Sequence, residues 1–169
     1  LVEQLLVLAR QEASVAPRQR IDIAAAARRA VADMAGVAQA RGIDLGLPRA
    51  DVAEVEGQPD ALMILLRNLV DNAIKYTPHG GTVDVSVVAE AGGVRVIVED
   101  SGPGIPPAER ERVFDRFYRV PGSDAAGSGL GLAIIKSIAE RHGATLALGE
   151  SARLGGLEAR LVHRQASAL

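Results

Sequence analysis

Apolar and polar positions along the chain follow two periods, one typical of helices and one typical of strands. The clearest helical stretch begins at Pro59 and ends before Pro78. Its apolar residues recur every three or four positions and form one stripe for burial, made of Leu62, Leu65, Leu66, Leu69 and Ala73. Similar patterns predict further helices over residues 1–13, 23–41 and 129–142 and a short helix over 106–112.

Alternating segments rich in β-branched residues predict seven strands. They cover residues 20–23, 43–47, 52–56, 82–89, 93–99, 145–149 and 157–163. We expect Pro48 to end the second strand, because proline has no N–H to donate to a ladder. The elements together predict an α+β fold. It is a two-layer sandwich in which a mixed, mainly antiparallel sheet of about five strands carries three longer helices on one face.

Composition narrows the class of protein. The chain has 169 residues, which suits one domain, and 48% of them are hydrophobic, which is enough for a full core. It has no cysteine, which excludes disulfides, thiolate metal sites and cysteine nucleophiles. The net charge is −2 and no long basic tract occurs, so we expect no nucleic-acid partner. No apolar run reaches the roughly 20 residues of a membrane span.

A second face of the helix over residues 59–76 is polar. Asn68, Asn72 and Lys75 recur at helical spacing and so share that face. Carboxamide oxygens can ligate a hard cation such as Mg²⁺, and a lysine can neutralise phosphate. A solvated polar face has the same pattern, so this stretch alone leaves both interpretations open.

Two glycine-containing loops add candidate chemistry. The first follows a buried strand with the pattern D-x-G-x-G, in which the carboxylate of Asp100 could accept a hydrogen bond from the exocyclic amine of a base. The second, residues 127–132, opens a helix and could bind phosphate at the helix N-terminus. It is not a Walker loop, because no Lys-Ser/Thr follows its last glycine. Taken singly, each loop also fits an ordinary turn.

The motifs gain weight from their order. N-x-x-x-N-x-x-K-Y begins at Asn68, D-x-G-x-G at Asp100, F-x-x-F-Y-R at Phe114 and G-x-G-L-G-L at Gly127. A chain with these motifs resembles the catalytic, ATP-binding domain of two-component sensor histidine kinases, within the gyrase–Hsp90–histidine kinase–MutL superfamily. The resemblance covers about residues 20–164 and implies a Bergerat-type ATP-binding fold and protein histidine kinase activity.

The resemblance also implies how the chain is divided. Residues 1–13 would be the end of the second helix of a truncated dimerisation and phosphoacceptor hairpin, and 14–19 would be a linker. Residues 20–164 would be the catalytic domain and 165–169 a C-terminal tail. The chain opens inside an apolar repeat without a methionine, so we expect it to be a fragment of a longer protein.

The resemblance further implies a role for each motif residue. Asn68 and Asn72 would hold Mg²⁺ and through it the triphosphate of ATP, Lys75 would contact phosphate, and Tyr76 would lie against the nucleotide. Asp100 would bond the adenine amine. Around the base, Gly102 and Gly104 would leave room and Ile105 would be an apolar wall. Arg119 would reach the terminal phosphates. The phosphate side of a lid would be formed by Gly127, Gly129, Leu130 and Gly131, and Phe114 and Phe117 would anchor that lid.

Asn68 separates classes within the superfamily. ATP-hydrolysing members typically carry a glutamate there as the general base for water, and an amide has no useful basicity. The resemblance therefore favours transfer of the γ-phosphoryl group to a histidine, with Asn68, Lys75 and Arg119 as the catalytic set. An ATPase or clamp of the gyrase–Hsp90 type is one alternative. An anti-sigma-like serine kinase or another protein-binding module is a second.

The chain departs from the family pattern at two points. Leu157 follows the last glycine pair, where the family often has Thr or Ser near the base. The phosphoacceptor histidine is also missing, because His79, His142 and His163 all fit structural or solvated positions. We therefore expect no autophosphorylation by this chain alone. The implied partners are a phosphoacceptor hairpin of the same or a partner subunit and a response regulator. The implied parent is a membrane-anchored homodimer with this domain on the cytoplasmic face, and the fragment itself could be monomeric.

Overall fold

The structure is a computed structural model, and it describes residues 2–13, 16–121 and 131–164. Its elements in chain order are α1 (Val2–Ala13), β1 (Gln19–Asp22), α2 (Ile23–Ala40), β2 (Asp44–Ala50), β3 (Glu54–Gly57), α3 (Pro59–Tyr76), β4 (Thr82–Glu90), β5 (Gly93–Asp100), two 3₁₀ turns (Pro107–Glu109 and Arg112–Phe114), α4 (Gly131–Arg141), β6 (Ala144–Glu150) and β7 (Leu157–Arg164).

The main sheet has five strands in the order β2-β4-β5-β7-β6. β2 and β4 are parallel and the other neighbours are antiparallel, so the predicted mixed, mainly antiparallel sheet is confirmed. A separate two-stranded sheet pairs β1 with β3. The sequence predicted both of these short strands but not that they would pair apart from the main sheet.

The core lies between one face of the main sheet and three helices. Alternate valines of β4 and β5 are buried on that face, and Val85 stands opposite Val98 and Val87 opposite Val96. Helices α2, α3 and α4 pack on this side of the sheet, as predicted. Burying a valine or leucine side chain contributes about 1.5–3 kcal/mol, so this aliphatic layer is the main source of stability.

Strand β2 runs further than its sequence predicts. It continues through Pro48 to Ala50, with an irregular register between Gly46 and Arg49. The prediction that Pro48 ends the strand is therefore wrong. β2 is at the edge of the sheet, where a residue without an N–H costs no ladder hydrogen bond.

The first helix packs on the rest of the domain. Leu8 of α1 is buried in the core cluster, and α1 lies against α4. Glu12 forms an ion pair with Arg116. Within the described residues, no helix is long and apolar enough to cross a membrane.

The predicted helix over 106–112 is two 3₁₀ turns instead, Pro107–Glu109 and Arg112–Phe114. The first turn closes through i→i+3 bonds, from the N–H of Glu109 to the carbonyl of Pro106 and from the N–H of Arg110 to the carbonyl of Pro107, and the second ends at Asp115, whose backbone is extended.

Candidate functional site

Helix α3 carries the first group of predicted site residues. It begins with Pro59 in its first turn and ends at Tyr76, before Pro78. Its apolar stripe is buried, and this fixes the opposite stripe, with Asn68 and Asn72, toward the first residue of α4. A Cβ atom added at Gly131 would lie 3.1 Å from Asn72 Oδ1 and 3.6 Å from Asn68 Oδ1. Both carboxamides therefore meet the N-terminus of α4.

A backbone hydrogen bond orients the Asn68 side chain. Its Nδ2 donates to the carbonyl of Ile64 at 2.8 Å, one turn back in the same helix. This bond uses one of the two Nδ2 hydrogens and leaves Oδ1 facing Gly131. Within the described residues, the carboxamide of Asn72 has no protein hydrogen-bond partner. Two amide oxygens are thus available for a ligand at one point.

Lys75 is held beside this polar face by an acidic neighbour. Its Nζ lies 2.9 Å from Asp71 Oδ2, a pair one helical turn apart. Both side chains are partly exposed, and such pairs contribute only a few tenths of a kcal/mol. A phosphate group near Lys75 could therefore compete with Asp71 at little cost.

The C-terminal end of α3 meets the D-x-G-x-G loop. A Cβ added at Gly102 would lie 2.7 Å from the carbonyl oxygen of Tyr76 and 3.2 Å from Asp100 Oδ1. Only a glycine can let the loop and the helix approach this closely. The Tyr76 side chain is exposed beside this contact. The polar stripe of α3 and the loop therefore form one continuous surface.

Asp100 is the most buried acid at this surface. It is 3% exposed, and its Oδ1 accepts hydrogen bonds from the N–H groups of Gly102 at 2.9 Å and Leu157 at 3.0 Å. Both protein donors use Oδ1, so Oδ2 is left for a ligand among the described residues. Burial raises the pKa of the Asp100 carboxyl, and the two N–H donors oppose that rise.

The donor from Leu157 bears on one departure from the family pattern. The contact uses the backbone N–H of this residue, so it does not require a Thr or Ser side chain at position 157. The preceding N–H, from Gly156, donates to the carbonyl of Asp100 at 3.0 Å. A Cβ at Gly156 would lie 2.3 Å from Asp100 Oδ1, which no side chain could tolerate. The sequence analysis missed this role of Gly156. Its signal was a glycine pair directly before an alternating strand.

The loop continues from Asp100 into a left-handed turn. Gly104 has φ +74°, a region that favours glycine. Ile105 is half-buried, and its carbonyl accepts a hydrogen bond from Arg110 Nε at 3.1 Å. This hydrogen bond fixes the backbone that carries the apolar side chain of Ile105.

The two residues predicted to anchor the lid differ in burial. Phe114 is half-buried, but Phe117 is 52% exposed and has φ +65°. The prediction that Phe117 packs down as an anchor is therefore wrong. Val113 is buried at this place and the second 3₁₀ turn contacts α4. The sequence analysis did not predict that Val113 is buried, because a single valine among charged residues forms no apolar pattern.

Tyr118 is fixed by charged neighbours rather than by apolar packing. Its hydroxyl donates to Glu109, and the guanidinium of Arg112 lies 4.6 Å from its ring centroid. The hydrogen bond to Glu109 raises the pKa of the Tyr118 hydroxyl. Arg119 follows on the exposed surface. Gly127, Gly129 and Leu130 lie outside the described residues.

The three histidines differ in their surroundings. His79 is exposed. His142 is buried, its Nε2 accepts from the N–H of Gln58 at 3.0 Å, and its Nδ1 lies 2.7 Å from the carbonyl of Ile138. Burial lowers the pKa of His142 and also that of half-buried His163. His142 therefore has a structural role, as the sequence predicted.

The assembled surface offers oxygen ligands at one end and a buried carboxylate at the other. Amide oxygens suit a hard divalent cation, and the free N–H groups at the start of a helix suit a phosphate. A carboxylate with one free oxygen suits an amine donor. This chemistry fits a molecule that carries a base at one end and phosphates at the other.

Comparisons with known sequences identify relatives. The family described as histidine kinase-, DNA gyrase B-, and HSP90-like ATPase matches residues 57–165. The sensor protein QseC of Escherichia coli (strain K12) is 40% identical over 164 residues, which is 95% of this chain and 35% of that protein. The chain therefore spans little more than a third of the length of this curated relative.

Two solved structures have a similar fold. The mycobacterial sensor histidine kinase MprB is 31% identical, with a TM-score of 0.75, over 89% of this chain and 99% of that one. ShkA, solved at full length in complex with AMPPNP, is 28% identical, with a TM-score of 0.82, over 99% of this chain and 36% of that one.

Proposed function

The chain belongs to the family of histidine kinase-, DNA gyrase B- and HSP90-like ATPases, as the ATP-binding domain of a sensor histidine kinase, and on that premise we propose how it acts. The family resemblance seen in the sequence and the predicted α+β fold are both confirmed. Our proposal is that the domain binds ATP with Mg²⁺ and delivers the γ-phosphoryl group to a histidine on a separate hairpin.

The observation that carries the proposal is the meeting of two carboxamides with a helix start. Asn68 and Asn72 present oxygens at Gly131, where a Cβ would fill the space between them and α4. Carboxamide oxygens are hard ligands, so these residues fit Mg²⁺ and would be the ones to hold it. When bound, Mg²⁺ would neutralise charge on the phosphates.

The rest of the site would orient the nucleotide. The free Oδ2 of Asp100 would accept from the adenine amine, beside the close contact of Gly102 with Tyr76. Lys75 would exchange its pair with Asp71 for a phosphate oxygen. The remaining implied contacts, at Gly104, Ile105 and Arg119 and in the segment from Gly127 to Gly131, are part of the same proposal.

Asn68 favours transfer to protein over transfer to water in this proposal. Its Nδ2 donates to the carbonyl of Ile64, and neither atom of a carboxamide can remove a proton from water. Phosphoryl transfer would then rest on positioning and charge neutralisation, with an imidazole as the acceptor. This supports the kinase proposal over the ATPase clamp.

The remaining assignments concern the parent protein. We propose that α1 is the end of the second hairpin helix, that 14–19 is a linker, and that 20–164 is the catalytic domain, followed by a tail over 165–169. The partners would be the phosphoacceptor hairpin and a response regulator. The parent would be a membrane-anchored homodimer with this domain on the cytoplasmic face of the inner membrane.

Calorimetry tests the binding half of the proposal. Titration of the chain with ATP and Mg²⁺ should show one site, and Asn72→Ala or Asp100→Ala should weaken it by at least about tenfold. Asp51→Ala is the matched control for a lost carboxylate. Asp51 bonds Ala89 near the far end of β4 from Asp100, so its loss should leave the affinity unchanged. Unchanged affinity in both site variants would refute the proposal.

Phosphohistidine analysis tests the catalytic half. The chain, supplied with a hairpin that bears an acceptor histidine and with ATP and Mg²⁺, should phosphorylate that histidine, and the chain alone should not label itself. Steady ATP hydrolysis without phosphohistidine, unaffected by Asn68→Ala, would favour the ATPase alternative instead.

A further inference from the structure

The connection between β6 and β7 forms a closed turn beside the site. We call residues 151–156 the β6–β7 turn. The N–H of Ser151 donates to the carbonyl of Gly156 at 2.8 Å, and the N–H of Gly155 donates to the carbonyl of Ser151 at 2.8 Å. The hydroxyl of Ser151 accepts from the N–H of Leu154 at 3.0 Å. Ser151 is 1% exposed, so its hydrogen bonds set the shape of the turn.

The end of this turn determines where the Asp100 carboxylate lies. The N–H groups of Gly156 and Leu157 donate to the carbonyl and to Oδ1 of Asp100, each at 3.0 Å. A displacement of residues 156 and 157 therefore moves a donor away from the carboxylate. A carboxylate that loses a donor can rotate, and its free oxygen then no longer points in one direction.

Side chains of the β6–β7 turn also contact acidic residues on the face of the sheet opposite the Asp100 carboxylate. The hydroxyl of Ser151 donates to Glu99 Oε1 at 2.9 Å. Arg153 Nη2 lies 2.6 Å from Asp84 Oδ2 and 3.1 Å from Glu99 Oε2. Glu99 precedes Asp100 in β5, so its side chain is on the opposite face from that carboxylate.

The arginine also offsets a repulsion. Asp84 and Glu99 stand directly opposite each other in the β4–β5 register, and both are largely buried. Like charges in this position destabilise a sheet, and a bridging guanidinium removes the repulsion with charge-assisted hydrogen bonds. Without Arg153, Asp84 and Glu99 would repel each other, and Glu99 is the residue to which Ser151 donates.

We propose that Ser151 and Arg153 are positioning residues that set the preference of this site for adenine. They act through the β6–β7 turn, which holds the Asp100 carboxylate in the orientation that accepts a hydrogen bond from an exocyclic amine. This inference rests on the proposed function, because it assumes that Asp100 contacts the base.

A neighbouring ion pair provides a matched control. Arg160 pairs with Glu158 at 2.5 Å in β7, and its side chain is 45% exposed against 53% for Arg153. The Arg160 pair joins two residues of one strand. Glu158 stands opposite Glu99 in the β5–β7 register, but among the described residues Arg160 has no hydrogen bond to the β6–β7 turn. An arginine that only stabilises the sheet should therefore behave like Arg160.

Calorimetry on the full chain tests the proposal with two probes, each with Mg²⁺. One is ATP, and the other is purine riboside triphosphate, which is ATP without the exocyclic amine. The variants are Ser151→Ala, Arg153→Gln and the control Arg160→Gln, with folding checked by thermal unfolding. Arg153→Gln alters an exposed side chain, so it remains informative even if Ser151→Ala does not fold.

We expect both turn variants to weaken ATP binding about tenfold, as the loss of a charge-assisted contact would. Binding of the amine-free probe should change little, so the preference for ATP falls, and Arg160→Gln should match the wild type. Wild-type preference in Arg153→Gln, or equal loss for both probes, overturns the proposal. A wild-type chain that binds neither probe overturns the proposed function as well, which separates the two failures.

Discussion

Replacing Gly156 by alanine tests the packing against Asp100 most directly. The new Cβ would lie 2.3 Å from Asp100 Oδ1, 2.4 Å from the Asp100 carbonyl oxygen and 2.6 Å from the N of Gly102. Ordinary contacts of this kind need about 3.5 Å, so the turn must move by about 1 Å. Both 3.0 Å hydrogen bonds to Asp100 would then exceed the usual limit of about 3.2 Å.

The expected magnitude follows from those two bonds. The loss of each bond to a buried acceptor costs about 1–3 kcal/mol, so the loss of both in Gly156→Ala should lower the free energy of unfolding by about 2–6 kcal/mol. ATP affinity should fall at least about tenfold, because the Asp100 carboxylate loses its fixed orientation. Urea unfolding followed by circular dichroism gives the first quantity, and calorimetry with ATP and Mg²⁺ gives the second.

Gly155 supplies the control, because it isolates backbone strain from steric overlap. It has φ +84°, and a Cβ there would meet no atom within 4 Å. Gly155→Ala should therefore cost about 1–2 kcal/mol through the left-handed backbone alone, with ATP affinity unchanged. Equal stability losses and equal ATP affinities in the two variants would refute the reasoning from contact distances.

Three further predictions follow from other parts of the structure. Gly131→Ala favours a helical residue by up to about 1 kcal/mol but displaces the Asn72 carboxamide, so calorimetry should show weaker ATP binding with no loss of thermal stability; weaker stability with intact binding would contradict this. Burial lowers the pKa of His142, so the neutral side chain contributes its full stabilisation above about pH 6.5. As the pH falls from there through the lowered pKa, the free energy of unfolding decreases by up to about 1.4 kcal/mol per pH unit. Urea midpoints should therefore fall less steeply with acidity in His142→Gln. Leu8→Ala should cost about 2–5 kcal/mol in urea unfolding and Glu12→Ala less than about 1 kcal/mol, because the first is buried and the second is a half-exposed ion pair; the reverse order would show that charge holds α1.

Local patterns were enough to predict α3 and the long strands. The stripe on α3 repeats over several turns, and β4 and β5 alternate over eight or nine residues, so each element is specified by its own sequence. The β1–β3 sheet was not predictable in this way. Its partners, such as Gln19 and Gly57, are separated by all of α2 and β2, and short strands give no signal for a distant partner.

The candidate site likewise combines residues that local sequence predicts with contacts that depend on distant residues. Asn68, Asn72 and Asp100 stand out because their side chains are unusual for their positions. The donors that hold Asp100 are backbone N–H groups, which every residue except proline has, and Leu157 is 57 positions away. Residue type cannot reveal such a contact. The ion pair of Lys75 with Asp71 also depends on rotamers that the sequence does not determine.

The position of the aromatic residues has a spectroscopic consequence. The chain has no tryptophan and two tyrosines, so its tyrosine emission comes from Tyr76 and Tyr118 alone. Tyr76 is exposed at the contact with Gly102, and Tyr118 lies under Arg112 on the segment that leads to residue 121. Tyr76 therefore lies on the surface that α3 and the D-x-G-x-G loop form, and neither tyrosine is in the buried core. Under the proposed function, the intrinsic fluorescence of Tyr76 should therefore change when nucleotide binds, without any label.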